Sequence, residues 1–212
     1  MKPLIGLFVH QPVCSVQSIN GIVKALESDY RFKFFGKGEM ESGFFQDLDM
    51  VCFPGGVGDS DRFDTLVSRN VDSLGNYIRQ GGRYLGICMG AYWADADYLD
   101  ILPMGNRVVQ YIKRPGTDTR RPHPKACAVT WQGQAERMYF YDGSCITGHN
   151  LDVVATYSSG DAMAAISGKI GLIGCHLESE EFWYDKRYLK PHWHQGRHHA
   201  LLKTFVENLM ER

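Results

Sequence analysis

The sequence predicts one α/β domain over residues 1–212, with a mostly parallel central sheet and extra β-strands in its second half. Two patterns favour this class. The first half alternates short apolar runs with helical patterns, which is typical of βαβ units. The second half contains short strand patterns separated by turn residues. No linker or internal repeat divides the chain, whose length suits a single domain.

The first half provides four predicted strands and two helical segments. The strands are apolar runs at Leu4–Val9, Arg31–Phe35, Met50–Phe53 and Arg83–Ile87. Helical spacing predicts a helix over Ser15–Leu26, with a buried face formed by Val16, Ile19, Val23 and Leu26. A second helical stretch ends at Gly81-Gly82, with one apolar side formed by Leu66, Val67, Val71, Leu74 and Ile78.

The second half provides shorter strands and a final helix. The strands are predicted at Arg107–Ile112, Ala126–Trp131, Arg137–Tyr141, Val153–Tyr157, Ala162–Ser167 and Ile170–Cys175. A turn is expected at Gly148-His149-Asn150. The last helix, His198–Met210, has a predicted buried face of Leu201, Leu202, Phe205, Val206 and Leu209.

Composition argues against nucleic acid or an anionic membrane as a partner, because the formal net charge is only −1. The one basic cluster lies among prolines and is interpreted as a solvated loop; it consists of Lys113, Arg114, Arg120 and Arg121. The apolar run Leu4–Val9 is far shorter than the ~20 residues of a membrane helix, and it lacks the features of a signal peptide. We therefore expect a cytoplasmic protein.

The six cysteines, at positions 14, 52, 88, 127, 145 and 175, form no CxxC pair. In a reducing compartment they are expected to be free thiols, mostly buried as small apolar residues. Cys88 differs from the others because Gly86 and Gly90 flank it where a strand meets a helical segment. A nucleophile on such a turn has a strained backbone that leaves no room for neighbouring side chains.

This G-x-C-x-G spacing predicts a nucleophile elbow, a sharp strand-to-helix turn that presents Cys88 as a nucleophile at the carboxyl edge of the sheet, where open α/β folds build their sites. A helix amino terminus there would favour the thiolate, and the Met89 N–H group would face the oxyanion formed on attack. The alternative is a glycine-flanked core cysteine in an ordinary strand-to-helix turn.

A nucleophilic cysteine needs a base, and the base needs an orienting group. His176 follows an apolar strand and so should lie at the same sheet edge as Cys88. Glu178 is two residues further on, and residues i and i+2 of an extended segment share a face. The sequence therefore predicts a His176–Glu178 pair. The alternative is a surface histidine and glutamate at a strand end.

A glycine-rich loop, Phe53-Pro54-Gly55-Gly56-Val57-Gly58-Asp59, follows the third strand. Glycines let backbone N–H groups approach a reacting carbonyl, so Gly56 is the predicted second oxyanion donor. Gly55 and Val57, together with Tyr92 from the segment after the cysteine, are expected to line a substrate pocket. A plain strand-to-helix turn would also favour glycine, and GGxG is too short for a dinucleotide fingerprint.

Together these segments resemble the class I glutamine amidotransferase-like superfamily. FPGGVGDSDRF (53–63), GGRYLGICMGAYWA (81–94) and ISGKIGLIGCHLESEEF (166–182) are similar to the amino-terminal domain of biotin–protein ligases and its stand-alone relatives. The resemblance extends from about Leu4 to Phe182. It implies a flavodoxin-like three-layer sandwich, and a triad of Cys88, His176 and Glu178 with Gly56 and Met89 as the oxyanion hole. It also implies a stand-alone member without a ligase catalytic domain.

The chain departs from the superfamily pattern at two positions. Leu177 stands where many members have proline, which leaves both neighbouring side chains in place. Ala91 and Tyr92 stand where ammonia-producing members usually have a glutamine-holding residue, so the pattern supports the catalytic apparatus better than glutamine as the substrate. The expected function is amide hydrolysis or amide-nitrogen transfer through a thioester, on a small-molecule amide and without a cofactor. Transfer of ammonia would need a separate synthetase or ligase partner.

Two other functions are open at this stage. One is a ligand-binding or regulatory module that keeps the fold with little turnover. The other is a redox-sensing or aldehyde-handling cysteine protein, although such proteins usually have a carboxylate before the elbow and Arg83–Ile87 has none. A histidine cluster near the carboxyl terminus is predicted to be a histidine-rich loop rather than a metal site, and consists of His192, His194, His198 and His199. Phe182-Trp183-Tyr184 is expected to pack near the site.

Overall fold

The computed structural model describes residues 1–10, 13–40, 43–57, 59–67 and 71–212. The strands are β1 (Leu4–Phe8), β2 (Arg31–Phe35), β3 (Met50–Phe53), β4 (Arg83–Ile87), β5 (Arg107–Gln110), β6 (Lys125–Trp131), β7 (Gln134–Phe140), β8 (Ser144–Thr147), β9 (Asp152–Tyr157), β10 (Ala162–Ser167) and β11 (Ile170–Ile173). The α-helices are α1 (Val13–Leu26), α2 (Ser60–Leu66), α3 (Val71–Arg79), α4 (Met89–Trp93) and α5 (Arg197–Met210). None of the described helices is long and apolar enough to cross a membrane.

The strands form one mixed sheet whose central part is parallel. The order β2-β1-β3-β4-β11 is parallel throughout, and β10 then pairs antiparallel with β11. Strands β9, β6 and β7 continue the antiparallel part, while β5 and β8 form a branch that pairs with β10. This confirms the predicted α/β sheet with extra strands from the second half.

Alternate residues of the central strands pack into two cores, one on each face of the sheet. In β3, Met50 and Cys52 pack with α1 and α5, whereas Val51 and Phe53 pack with the α2, α3 and α4 side. Because strand side chains alternate between faces, a buried parallel strand must be apolar on both. The result is the three-layer arrangement that the sequence predicts.

Several details differ from the sequence expectation. Strand β11 ends at Ile173, because its parallel partner β4 ends at Ile87 and the chain turns away there. Strand β5 ends at Gln110, which pairs with Ser144 at the start of β8, and the chain beyond it forms a 3-10 turn over Tyr111–Lys113. Strand β8 itself was not predicted. The single helical stretch before Gly81 is two helices, α2 and α3; residues 68–70 lie outside the described part.

Candidate active site

Cys88 occupies a strained turn between β4 and α4. Its backbone has φ 50° and ψ −100°, a conformation that is costly for a residue with a side chain. The Cys88 N–H donates to the Ile173 carbonyl at 2.8 Å, which anchors the turn on β11. A Cβ at Gly86 would lie 2.4 Å from the Gly90 carbonyl oxygen, and one at Gly90 would lie 2.1 Å from that of Phe53. Both glycines therefore have the steric role that the sequence predicts.

His176 and Glu178 are in direct contact, at the sheet edge where Cys88 also lies. The His176 Nδ1 donates to Glu178 Oε1 at 2.8 Å, and both side chains are buried. The segment is a turn rather than the extended chain assumed from the sequence, since Ser179 N–H donates back to the His176 carbonyl. Leu177 is fully buried in the core cluster, so the turn puts it away from solvent.

The charges of the three groups reinforce one another. Burial by itself disfavours the charged form of His176, but the Glu178 carboxylate and the Cys88 thiolate raise the pKa of His176 well above its usual value of about 6.5. The imidazole is hydrogen-bonded to Glu178, and His176 borders the same cavity as Cys88. The arrangement can therefore hold an imidazolium between a thiolate and a carboxylate.

Ser18 on α1 connects the triad to the glycine loop, and sequence reasoning missed it. Its hydroxyl donates to Glu178 Oε1 at 2.6 Å and accepts the Gly55 N–H at 2.9 Å. The predicted buried face of α1 was only partly right, because Ser15 and Ser18 are buried whereas Val16 and Val23 are half-exposed. The available sequence signal was the spacing of Ser15 and Ser18, two serines three residues apart on an otherwise apolar helix face.

We predict that Ser18→Ala slows alkylation of Cys88 about tenfold or more. The change leaves a buried Gly55 N–H without its acceptor and removes one donor to Glu178, each worth on the order of 1–2 kcal/mol. The rate constant for iodoacetamide labelling at pH 7 measures the effect. The matched control is Ser15→Ala on the same helix, because the buried Ser15 hydroxyl has no hydrogen-bond partner among the described residues. Equal rates in the two variants would contradict a positioning role for Ser18.

The glycine loop lies against the elbow. The Gly90 N–H donates to the Pro54 carbonyl at 3.2 Å, and a Cβ on Gly56 would meet Met89 Sδ at 2.9 Å. Within the described residues, the backbone N–H groups of Gly56 and Met89 make no hydrogen bond to another protein group. Their roles as oxyanion donors stay predictions. Gly58 of the predicted motif lies outside the described part of the chain.

Gly55 has a different position from the pocket-lining one that was expected. A Cβ there would lie 2.6 Å from His176 Cε1, so the missing side chain provides space for the imidazole. Among the described residues, Gly55 is not in contact with the two cavities that meet at Cys88, whereas Val57 borders both of them. Gly55 thus allows the His176 ring to pack directly against the backbone of the glycine loop.

Two cavities meet at Cys88, and Gly56, Val57 and Tyr141 border both. The first, which we call the polar cavity, has a volume of about 570 Å³. Its further lining residues are Asp59, Met89, Tyr92, Tyr98, Gln110 and Asp142. The second, which we call the aromatic cavity, has a volume of about 540 Å³. Its further lining residues are Gln17, Pro124, Tyr139, His176, Phe182 and Trp183.

The polar cavity contains groups that sequence reasoning missed. Tyr92, which was expected there, donates its hydroxyl to the Asp142 carbonyl at 3.0 Å. The Asp142 carboxylate accepts from Gln110 Nε2 at 3.3 Å, and burial raises the pKa of Asp142. Cys88 Sγ lies 3.8 Å from the Tyr141 carbonyl oxygen. The Asp142-Gly143 pair, typical of a hairpin turn, was the available sequence signal.

The carboxyl-terminal histidines are engaged in protein contacts. His198 Nε2 lies 3.1 Å from Glu136 Oε2, and the Nε2 atoms of His194 and His199 both reach the Ser179 carbonyl. Burial lowers the pKa of both His194 and His198 to about 3. In the described residues, no group of three or more His, Cys, Asp or Glu side chains is arranged to hold a metal ion.

Comparison with known proteins gives a family match and many structural matches. Residues 14–99 match the family described as biotin-protein ligase, N terminal. This range contains α1 except its first residue, the glycine loop and Cys88, and it ends before His176. An uncharacterized protein from Chlamydia muridarum (strain MoPn / Nigg) is 37% identical over 60 residues, which are 28% of this chain and 23% of that protein. The chain therefore aligns with under a quarter of that relative's length.

Among solved structures, a glutamine amidotransferase from Thermotoga maritima superposes with a TM-score of 0.71 at 14% identity, over the full length of both chains. A glutamine amidotransferase from Methylobacillus flagellatus gives a TM-score of 0.58 at 11% identity, covering 99% of this chain and 92% of that one. At such identities these matches show the fold. The chain has a class I glutamine amidotransferase-like fold with a biotin–protein ligase amino-terminal-like segment, as the sequence resemblance implied.

Proposed function

We propose that the chain is a cysteine-nucleophile amide hydrolase of the amidotransferase-like type, in which Cys88 attacks, His176 transfers protons and Glu178 orients His176. The main support is that Cys88, on a strained elbow where two cavities meet, borders the same cavity as the buried His176, which is hydrogen-bonded to the Glu178 carboxylate. A core cysteine of an ordinary turn has no need for this arrangement.

The proposed reaction has two halves. The Cys88 thiolate attacks the amide carbonyl carbon, and the N–H groups of Gly56 and Met89 donate hydrogen bonds to the oxyanion that forms. The carbon–nitrogen bond then breaks, and the nitrogen leaves with the proton of the His176 imidazolium. Water, deprotonated by His176, attacks the thioester; the carbon–sulfur bond breaks and the acid is released. Helix α4 has only five residues, so the helix dipole at Cys88 is short.

The acyl part of the substrate would lie in the polar cavity, where Gln110, Tyr92 and Asp142 offer hydrogen-bonding groups. Tyr92 stands where ammonia-producing members of the superfamily usually have a residue that holds glutamine. Free glutamine is therefore only one candidate within a wider class of small amides. Onward transfer of ammonia would require a separate synthetase or ligase. The expected localisation is the cytoplasm.

We predict that Cys88 is alkylated selectively by iodoacetamide near pH 7. Cys52, Cys127, Cys145 and Cys175 are fully buried, and burial raises the pKa of each of these thiols, so they stay protonated and shielded. Cys88 borders both cavities and has an imidazolium partner. Mass-resolved labelling measures the rate at each cysteine.

The experiment uses a Cys14→Ser background, since the Cys14 side chain is not among those described. Cys88→Ala should abolish the fast labelling, and wild type should release the amine from a panel of small amides that includes glutamine. Slow, uniform labelling of the folded protein would contradict the proposal and favour a ligand-binding or regulatory module.

A further inference from the structure

In the described lining, His176 borders the aromatic cavity and not the polar cavity. This difference indicates which end of the substrate lies in each cavity. Nδ1 of His176 is held by Glu178 at 2.8 Å, so the opposite ring nitrogen, Nε2, must exchange the proton with sulfur and with the departing amine. The departing nitrogen must therefore be within hydrogen-bond reach of Nε2. His176 lines the aromatic cavity and, among the described residues, is not part of the lining of the polar one.

The aromatic cavity is far larger than an ammonia molecule requires. Its volume of about 540 Å³ compares with the roughly 30 Å³ that a water molecule, of similar size to ammonia, occupies in the liquid. It falls within the range of about 300–1,000 Å³ that is usual for small-molecule sites. A primary amide would leave most of this space without a substrate group.

The walls of the aromatic cavity indicate which group would fill it. Trp183 packs edge-on against both His176 and Tyr139, with ring centroids 5.3 and 5.1 Å apart. Phe182 and Tyr141 are about half exposed at the same cavity, with 48% and 50% of their surface accessible. Apart from the catalytic groups, its described lining contains no ionisable carboxylate, lysine or arginine. Such walls favour a flat, uncharged apolar group.

We propose that the scissile bond is an N-substituted amide whose leaving amine carries an aromatic ring, bound between Trp183, Tyr139 and Phe182. The inference rests on the proposed function and narrows its substrate class. When the carbon–nitrogen bond breaks, the nitrogen takes the His176 proton and leaves as a neutral aryl-substituted amine, with the acyl group held on Cys88. Water then releases the acid and returns the proton to His176.

A matched pair of alkylating agents tests the inference without knowledge of the acyl group. Iodoacetanilide is iodoacetamide with a phenyl ring on nitrogen, and both reagents alkylate thiols. The rate ratio of iodoacetanilide to iodoacetamide is measured at Cys88 and at free glutathione, which gives the intrinsic ratio. We expect the ratio at Cys88 to exceed that at glutathione about tenfold or more, since binding of the ring lowers the barrier.

Variants of the aromatic cavity test whether its side chains cause the raised rate ratio. Phe182→Ala and Trp183→Ala should bring the ratio down toward that of glutathione, and because the ratio compares two reagents at one cysteine it is corrected for any change in the reactivity of Cys88 itself. Phe34→Ala is the matched control, because Phe34 is a similarly exposed phenylalanine on β2, outside the cavity lining. Phe182 is on the surface, so its replacement keeps the test informative if the Trp183 variant fails to fold.

The outcomes separate the two proposals. Fast labelling by iodoacetamide with a ratio equal to that of glutathione would overturn the aromatic leaving group and leave the nucleophile intact. A raised ratio that Phe182→Ala and Trp183→Ala leave unchanged would also overturn it. The absence of fast labelling by either reagent would instead contradict the proposed function.

Discussion

His176→Ala is expected to reduce turnover by about six orders of magnitude, as found when the histidine base of a nucleophile–base pair is removed. The variant loses the proton donor to the leaving nitrogen in the first half of the reaction and the proton acceptor that activates water in the second half. It also removes the positive partner of the thiolate, so alkylation of Cys88 at pH 7 should slow as well. Both rates are measured on the same preparation, with circular dichroism as the check on folding.

Glu178→Gln is the graded comparison for this experiment. The amide retains the size of the carboxylate but removes the charge that raises the pKa of His176. We expect an intermediate loss, because the base remains and its orientation and charge are weakened. A His176→Ala enzyme with nearly wild-type turnover and labelling would exclude His176 as the base.

His176→Ala should also alter the pH dependence of the free energy of unfolding. The folded-state pKa of His176 is raised, so the folded protein binds this proton more tightly than the unfolded chain does. The resulting stabilisation is complete below the unfolded value of about 6.5 and is lost as pH rises through the folded-state pKa. Urea unfolding at pH 6 and pH 9 should therefore show a smaller alkaline loss of stability in His176→Ala than in wild type.

The central parallel strands could be predicted closely because they are buried on both faces. Such strands are continuous apolar runs bounded by turn residues, and β3 and β4 have the predicted limits. The branch formed by β5 and β8 was harder. Ser144–Thr147 is four residues long with polar ends, and its pairing with β5 comes from a distant part of the chain.

The site could be predicted where its residues have local patterns. Cys88 has flanking glycines, and His176 and Glu178 are two residues apart after a strand, although the contact between them arises from a turn. Ser18 has no such pattern, because its bond to Glu178 joins residues 160 positions apart. The two cavities likewise depend on loops from several segments, among them Tyr141-Asp142, whose arrangement is a property of the folded chain.

Gly90→Ala should destabilise the protein by about 3 kcal/mol or more, which lowers the melting temperature by roughly 10 °C for a chain of this size. The new Cβ would lie 2.1 Å from the Phe53 carbonyl oxygen, and both partners belong to packed backbone at the end of β3 and the start of α4. Backbone cannot rotate away as a side chain can, so α4 must shift as a unit. Thermal unfolding followed by circular dichroism gives the change in stability.

Two other glycine-to-alanine changes separate this clash from general effects of the substitution. Gly160 has φ +89° and open space around its Cβ position, so Gly160→Ala should cost only the strain of a left-handed residue, about 1–2 kcal/mol. Gly38 has open space and no positive φ, so Gly38→Ala should be neutral or slightly stabilising. If all three variants unfolded at the same temperature, we would conclude that Gly90 is not required for the close packing of α4 against β3.

The functional consequence of Gly90→Ala should exceed its effect on stability. A shift of α4 moves the Met89 N–H group and the Cys88 sulfur together, away from His176 and from the glycine loop that Gly90 holds through the Pro54 carbonyl. Reactions at such sites tolerate errors of about 1 Å poorly, and losses of about a hundredfold follow from them. At a temperature where the variant is still folded, Cys88 labelling should therefore be slowed far more than in Gly160→Ala, which has strain without the displacement.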